Sequence, residues 1–293
     1  MDISVFINRR KELKLSQVKL SEGICTQATL SKFENSDQVP SLSILSKLCG
    51  RLGITVDMLY QGEDDLSKVR KSLDMIEGQL MTEDYRRVLK GLSKINISKV
   101  ESIPIRMQYY YLRGILNTLI NRDPEKALFD FSRILNDLDE KHQTILTQLA
   151  FVGSGILYSR RQDYEAAQFY FNKVRRYIQH VYSMDKDVME NNYDLRILTL
   201  IYFTSEFFAI NENYPLSNQL INTGLALCSE DHVTFYLPRF KFLAAENAIK
   251  EHRPHEMIDR LMDEALAFAR INNNEVIEVK VAALRKKTAN QNG

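Results

Sequence analysis

Five short breakers punctuate the chain beyond its first sixty residues: Asp84-Tyr85, Asp123-Pro124, Asp163-Tyr164, Asn213-Tyr214 and Arg253-Pro254. They recur at intervals of 39, 40, 50 and 40 residues, each ahead of an apolar helical stretch. A period near 40 with two helices per unit is the mark of stacked helix pairs, because one pair alone cannot bury its apolar face. The clearest unit runs from Gln148 to about Arg176, with Gly155 and Tyr158 on its first helix. Its second carries Asp163-Tyr164-Glu165-Ala166-Ala167 and Phe171. Small residues at Gly155 and Ala167 let paired helices approach closely, while Tyr158 and Phe171 fill the space between them. Gly114, Ala127 and Phe131 echo the pattern, as do Ser205, Phe208, Ser217 and Ile221, and more faintly Ala245 with Leu261. The fold class that follows is all-α, a right-handed solenoid of about five helix pairs. Ser67 to Leu80 is expected as the first helix of the first pair, and Glu275 to Lys287 as a capping helix. The extra residues from Ser183 to Asn192 are expected to form a protruding loop or an extended helix.

The first sixty residues follow a different rule. Ser16 can cap a helix starting at Gln17, and Gly23 can end it with a positive φ. Thr26 then caps a second helix whose apolar positions Leu30 and Phe33 fall at i and i+3. Pro40-Ser41 opens a third, with Leu42, Leu45, Leu48 and Leu52 on one stripe. Gly53 closes it, and Val56, Met58 and Leu59 follow in a short final helix. Two short helices meeting at a tight turn can place the N-terminus of the second in the DNA major groove.

The residue types suit that task. Gln27 can make a bidentate contact with adenine, Thr29 can offer its methyl to thymine, and Lys32 can reach guanine or a phosphate. Thr26 and Ala28 share that end of the helix. Arg9, Arg10, Ser16 and Gln17 would touch phosphates and set register. Residues 1–61 hold eight Lys/Arg and six Asp/Glu, a net of +2. Affinity for DNA grows with the number of phosphates neutralised, so a single head this weakly basic binds poorly. A homodimer reading two half-sites about one helical turn apart supplies the missing contacts.

Other function classes recede. The chain has 44% hydrophobic and 26% charged residues, a formal charge of +1 and no tryptophan. Its longest apolar stretch, Leu195 to Ile210, carries Arg196, Ser205 and Glu206 and so does not read as a membrane span. Met1-Asp2-Ile3 leads into a helix rather than a signal peptide, and the expected location is the cytoplasm. Cys25, Cys49 and Cys228 make neither a disulfide framework nor a metal spacing. His252 and His255 have Pro254 between them and no third ligand. No phosphate-binding glycine loop, zinc-protease helix or nucleophile elbow is present. No cofactor and no enzymatic activity are expected.

The N-terminal anchors resemble the lambda-repressor-like (XRE) helix-turn-helix family. They are Arg9-Arg10, Ser16-Gln17, Gly23, Thr26-Gln27, Leu30, Phe33-Glu34-Asn35, Pro40-Ser41, Leu45, Leu52-Gly53 and Leu59. Leu20-Ser21 and Ser36 depart from that family's usual small residue and glycine. The repeats resemble tetratricopeptide repeats. A helix-turn-helix head (1–62) on such repeats (63–293) looks like the RRNPP regulators of the Rgg, PlcR and PrgX type. That resemblance implies a five-helix head and a C-terminal region that dimerises and binds a short signalling peptide, altering the hold on promoter DNA. Projecting the first helix of each pair onto a concave face nominates Tyr109, Arg113 and Asn117, then Val152, Ile156 and Arg160. Tyr202, Glu206, Arg239 and Asn247 come from the last two pairs. Of Tyr109-Tyr110-Tyr111 at least one must enter the core. Two alternatives stay open in the sequence: a solenoid that engages a protein partner, and a scaffold whose head no longer binds DNA.

Overall fold

A computed structural model describes residues 1–36, 38–59, 63–182 and 193–291. The expected loop or helix at 183–192 and the proposed boundary at residue 62 lie outside them. Among the described residues there are fifteen α-helices and no strand. The head contains α1 (Ile3–Glu12), α2 (Gln17–Ser21), α3 (Gln27–Ser36) and α4 (Leu42–Arg51). The fifth helix expected there is a single 3-10 turn, Val56–Leu59.

Then come α5 (Glu63–Met81), α6 (Tyr85–Leu92), α7 (Ile103–Leu119), α8 (Pro124–Ser132) and α9 (Ile145–Arg160). They are followed by α10 (Tyr164–Tyr182), α11 (Tyr193–Ile210), α12 (Tyr214–Glu230), α13 (Leu237–Lys250), α14 (His255–Ile271) and α15 (Glu275–Gln291). Helices α5 to α14 form the five expected pairs, and α15 stands where the capping helix was expected. The chain divides into two compact units, residues 1–76 with 89–150, and residues 77–88 with 151–293.

Four of the five breakers share one turn, which recurs once more before α15. Glu83, Gln162, Glu212, His252 and Asn273 each adopt a left-handed φ between 53° and 62°. The next residue turns its N–H back to the preceding helix: Asp163 to Tyr158 at 3.0 Å, Asn213 to Phe208 and Asn274 to Ala269 at 2.9 Å. Such bonds satisfy carbonyls that a helix end would otherwise leave without partners. The same side chains then cap the following helix. Asp163 accepts from the Ala166 N–H at 3.1 Å, Asn213 from Leu216 at 3.3 Å and Asn274 from Ile277 at 3.1 Å. Asp84 and Asp123 do the same for Arg87 and Lys126, both at 3.2 Å.

In the first unit, Phe6, Leu20, Leu30, Phe33, Leu45, Leu48, Leu52 and Leu59 form the core of the head. Gly23 and Gly53 take φ of +72° and +68° at its turns. Phe131 of α8 lies against Gly114 of α7, where an added Cβ would come within 2.7 Å of the ring. Tyr109, Tyr110 and Tyr111 are all buried.

In the second unit, Phe171 of α10 sits against Gly155 of α9 and stacks on Phe207 of α11 at 4.2 Å between ring centres. Phe242, Ala245, Leu261, Met262, Ala265, Ile277 and Val281 form the core that joins α13, α14 and α15. A buried ion pair also belongs here: Arg196 grips both carboxylate oxygens of Glu77 at 2.9 Å across 119 residues of sequence. Cys49 and Cys228 are buried, which pushes their thiols up to about 12, and Cys25 is raised less by the same cause.

Candidate DNA interface and ligand sites

The reading helix of the head is built from its caps outward. Ser16 accepts from the Lys19 N–H at 3.1 Å and starts α2, while Thr26 accepts from the Thr29 N–H at 3.2 Å and starts α3. Leu30 and Phe33 turn inward and are fully buried. That rotation leaves Thr26, Gln27, Ala28 and Lys32 exposed, with Thr29 half-buried beside Thr26. The Thr26 and Thr29 hydroxyls are 2.8 Å apart.

A chain of polar contacts runs beneath this face. Arg10 places Nε and Nη2 on the two oxygens of Glu34, at 2.6 and 2.7 Å, and Nη1 on the Leu15 carbonyl at 2.8 Å. Gln17 donates to the same Glu34 carboxylate at 2.8 Å, and Gln27 donates to Gln17 Oε1 at 2.8 Å. With one N–H directed to Gln17, Gln27 retains a carbonyl and a second N–H, the acceptor and donor that adenine requires.

Two of the expected phosphate contacts are therefore placed differently from their sequence reading. The Arg10 side chain is 13% exposed and its Glu34 partner 4%. Each guanidinium nitrogen of Arg10 already meets a protein acceptor, so it holds α1 to α3 and to the turn before α2 instead of facing outward. Gln17 is half-buried and orients Gln27. Arg9 bonds the Leu52 carbonyl at 3.1 Å and Glu12 at 3.0 Å but keeps 41% of its side chain in solvent.

Sequence reasoning missed three contributors. Glu34 is the hub of the network, and its place in the helix-turn-helix pattern was the available signal. Val18 on α2 is 67% exposed, an apolar side chain on the outer surface of the head. Arg51 ties α4 to the turn after α2 through the Leu20 and Glu22 carbonyls at 3.0 and 2.6 Å.

Among the ten nominated ligand residues, three meet in the first unit. Tyr109, Arg113 and Asn117 line a cleft of about 260 Å³ with Leu89, Leu92, Leu116, Arg122 and Lys126. Arg113 is held there by both oxygens of Asp130 on α8 at 2.6 and 2.8 Å and by the Tyr109 hydroxyl at 3.3 Å. Burial raises the Asp130 carboxyl, and the Arg113 guanidinium opposes that rise. This face of α7 looks toward α8 and the end of α6. It differs from the face of α9 that carries Val152, Ile156 and Arg160, of which Val152 is buried, Ile156 half-buried and Arg160 exposed.

Tyr202, Glu206 and Arg239 meet in the second unit. Tyr202 donates to Glu206 at 3.0 Å, and the Arg239 guanidinium lies over the Tyr202 and Tyr236 rings at 5.5 and 5.2 Å. Arg239 also reaches the Leu80 carbonyl at 3.4 Å and Glu83 at 3.6 Å. Asn247 stands apart: it donates to Ser217 and Asn218 of α12 at 2.9 and 2.8 Å and locks that helix pair. No group of acidic, His and Cys residues suited to a metal ion occurs among the described residues. No described helix is long and apolar enough to cross a membrane.

Residues 7–59 match the helix-turn-helix family, so the head is a helix-turn-helix domain. Transcriptional activator NprA of Geobacillus stearothermophilus is 26% identical over 168 residues, which are 54% of this chain and 38% of that protein. The match thus spans well under half the length of that relative. PlcR of Bacillus thuringiensis, solved with the peptide PapR7 and DNA, aligns over 95% of this chain and 97% of its own, at 14% identity and TM-score 0.64. ComR from S. thermophilus, solved with DNA and its signalling peptide ComS, aligns over 95% and 96% at 15% identity and TM-score 0.59. At such identities the likeness establishes the fold, a helix-turn-helix head followed by tetratricopeptide-like helix pairs.

Proposed function

We propose that the chain is a DNA-binding transcriptional regulator whose helix pairs bind a short signalling peptide, and that the peptide alters dimerisation and the hold on DNA. Residues 1–62 read the operator, and residues 63–293 sense the ligand and carry the dimer contact. The observation that supports this most is the joining of two things in one chain. A helix-turn-helix domain presents Gln27, Ala28, Thr29 and Lys32 outward, and the fold behind it is shared along nearly its whole length with proteins solved on peptide and DNA together.

The test uses the full-length protein and the promoter fragment beside its own gene. Binding is measured with and without short synthetic peptides encoded nearby, and light scattering follows the mass of the same samples. A peptide-dependent change in affinity or mass supports the sensor reading. Tight DNA binding indifferent to every peptide would replace it with a regulator controlled by a protein partner, and absence of DNA binding would leave an interaction scaffold.

A further inference from the structure

Helix α7 buries two side-chain amides, and they are treated differently. Gln108 donates to Asp74 of α5 at 2.9 Å. Asn117 is 8% exposed, yet among the described residues its side chain meets no donor or acceptor. An amide that folding takes from water and leaves without partners costs stability. Asn117 lines the cleft of about 260 Å³ in the first unit, so its unmet N–H groups and oxygen are offered to whatever enters there.

The rest of the lining says what the guest must carry. Arg122, in the turn between α7 and α8, and Lys126 of α8 line the cleft as exposed cations. Neither forms an ion pair with a described residue. The Arg122 N–H meets the Asn117 carbonyl at 2.9 Å, which sets the two residues side by side. Arg113 adds a third cation, but Asp130 already answers it with both oxygens. Asp123 is the one acid on the lining, and its Oδ1 is committed to the Lys126 N–H at 3.2 Å. Three cations against two carboxylates favour an anion. Leu92 and Leu116 give the same cleft an apolar lining, and Leu89 is 43% exposed there. A volume of about 260 Å³ is the room of roughly nine waters, which fits a molecule the size of one amino acid.

We propose that this cleft is a second ligand site, taking a compact carboxylate with a short aliphatic body. Arg122 and Lys126 hold the carboxylate, Asn117 completes its hydrogen bonding, and the leucines cover the tail. The site is separate from a peptide groove lined by the first helices of the pairs. Here α7 faces α6 and α8, the second helices of theirs, and the cleft can be filled whether or not a groove binds a peptide. The same chemistry occurs in a free aliphatic amino acid and in the last residue of a peptide chain.

The experiment titrates the full-length protein calorimetrically with 4-methylpentanoate, its neutral amide 4-methylpentanamide, leucine and N-acetylleucine. The carboxylate should bind saturably, and the amide, which differs only in charge, roughly tenfold more weakly or worse. Leucine bound more tightly than N-acetylleucine assigns the site to a free amino acid, and the reverse order assigns it to a chain end. In N117L, binding should be lost while the thermal midpoint of the empty protein holds or rises, because no protein partner is removed. Should N117L lose stability instead, R122Q/K126Q still decides, since both positions are exposed. That variant should melt as the natural protein does and bind the carboxylate about tenfold more weakly. Amide and carboxylate bound alike, carboxylate binding unchanged in R122Q/K126Q, or no saturable binding of any carboxylate below about 10 mM would each overturn the site.

Discussion

A guanidinium with a protein oxygen on each of its three nitrogens has little left for a phosphate. Arg10 is in that state, holding Glu34 through Nε and Nη2 and the Leu15 carbonyl through Nη1. Removing one member of a buried ion pair strands the other and costs about 3–5 kcal/mol. Arg10→Ala should therefore melt the head, visible in circular dichroism, before any DNA is added. Lys32→Ala, at an exposed position, should leave the melt unchanged, weaken binding to all sequences alike and lower the salt slope by about one. Gln27→Ala should relax preference at one base pair by roughly 1–3 kcal/mol. A stable Arg10→Ala head with uniformly weaker DNA binding would restore Arg10 to the phosphate contacts. Local chemistry made the caps at Ser16 and Thr26 and the positive φ of Gly23 legible in sequence, since each depends on neighbours a few residues away. The Arg10–Glu34 pair spans 24 residues and becomes visible only when α1 meets α3. Glu206 carries a second prediction at this scale. Its carboxyl is raised in the folded state, so its charged form destabilises the fold, and the native state gains stability as pH falls through the folded value. Glu206→Gln should thus raise the thermal midpoint at pH 8, and the gap to the natural protein should close as pH is lowered. A gap that is constant with pH would mean that the carboxylate is well solvated.

Helices are where sequence reading was strongest and also where it slipped. The breakers located every pair because a left-handed residue ends the first helix each time, followed by an Asp or Asn cap at three of the five. Asp123 is itself left-handed and caps α8, and α14 has Pro254 at its N-cap and no side-chain cap. Asp163→Ala should remove the cap of α10 and cost about 1 kcal/mol, read from the denaturant midpoint; no change would mean that water replaces the cap at no loss. Phase was harder to read than position. From Ile105 to Thr118 nearly every residue of α7 is buried, so no polar stripe marks which face looks outward. Arg113 and Asn117 therefore pass as groove residues in sequence, although Gly114 against Phe131 turns their side of the helix toward α8. Reading each first helix from its small residue, Gly114, Gly155, Ser205 or Ala245, would have fixed the phase. Glu77 and Arg196 were invisible for another reason, since nothing local pairs positions 119 residues apart. That pair ties α5 to α11. Glu77→Ala should destabilise the second unit by about 3–5 kcal/mol, whereas replacing both residues with Met should be nearly neutral. Equal losses in the single and double variants would show that the charges contribute nothing specific.

At the scale of the whole chain, the balance of charge bears on assembly. The head offers Lys11, Lys14, Lys19, Lys32 and Lys47 as exposed cations and Arg9 and Arg51 as partly engaged ones, while Arg10 is mostly buried against Glu34. One copy can therefore neutralise only about five to seven phosphates, and affinity that small falls away at physiological salt. On the proposed reading, two copies on one operator double the contacts and link the heads, so the second half-site is met at high effective concentration. The salt dependence of binding reports this directly. With a fragment carrying both half-sites, the slope of log affinity against log salt should be about twice that with a single half-site, at roughly 0.9 per phosphate contact. The complex should scatter light as two chains of 34.1 kDa on one DNA. If the two fragments gave the same slope and the complex held one chain, the head would have to draw its missing affinity from base contacts alone. Val18, exposed on α2 and able to meet a thymine methyl, would then be the first residue to substitute.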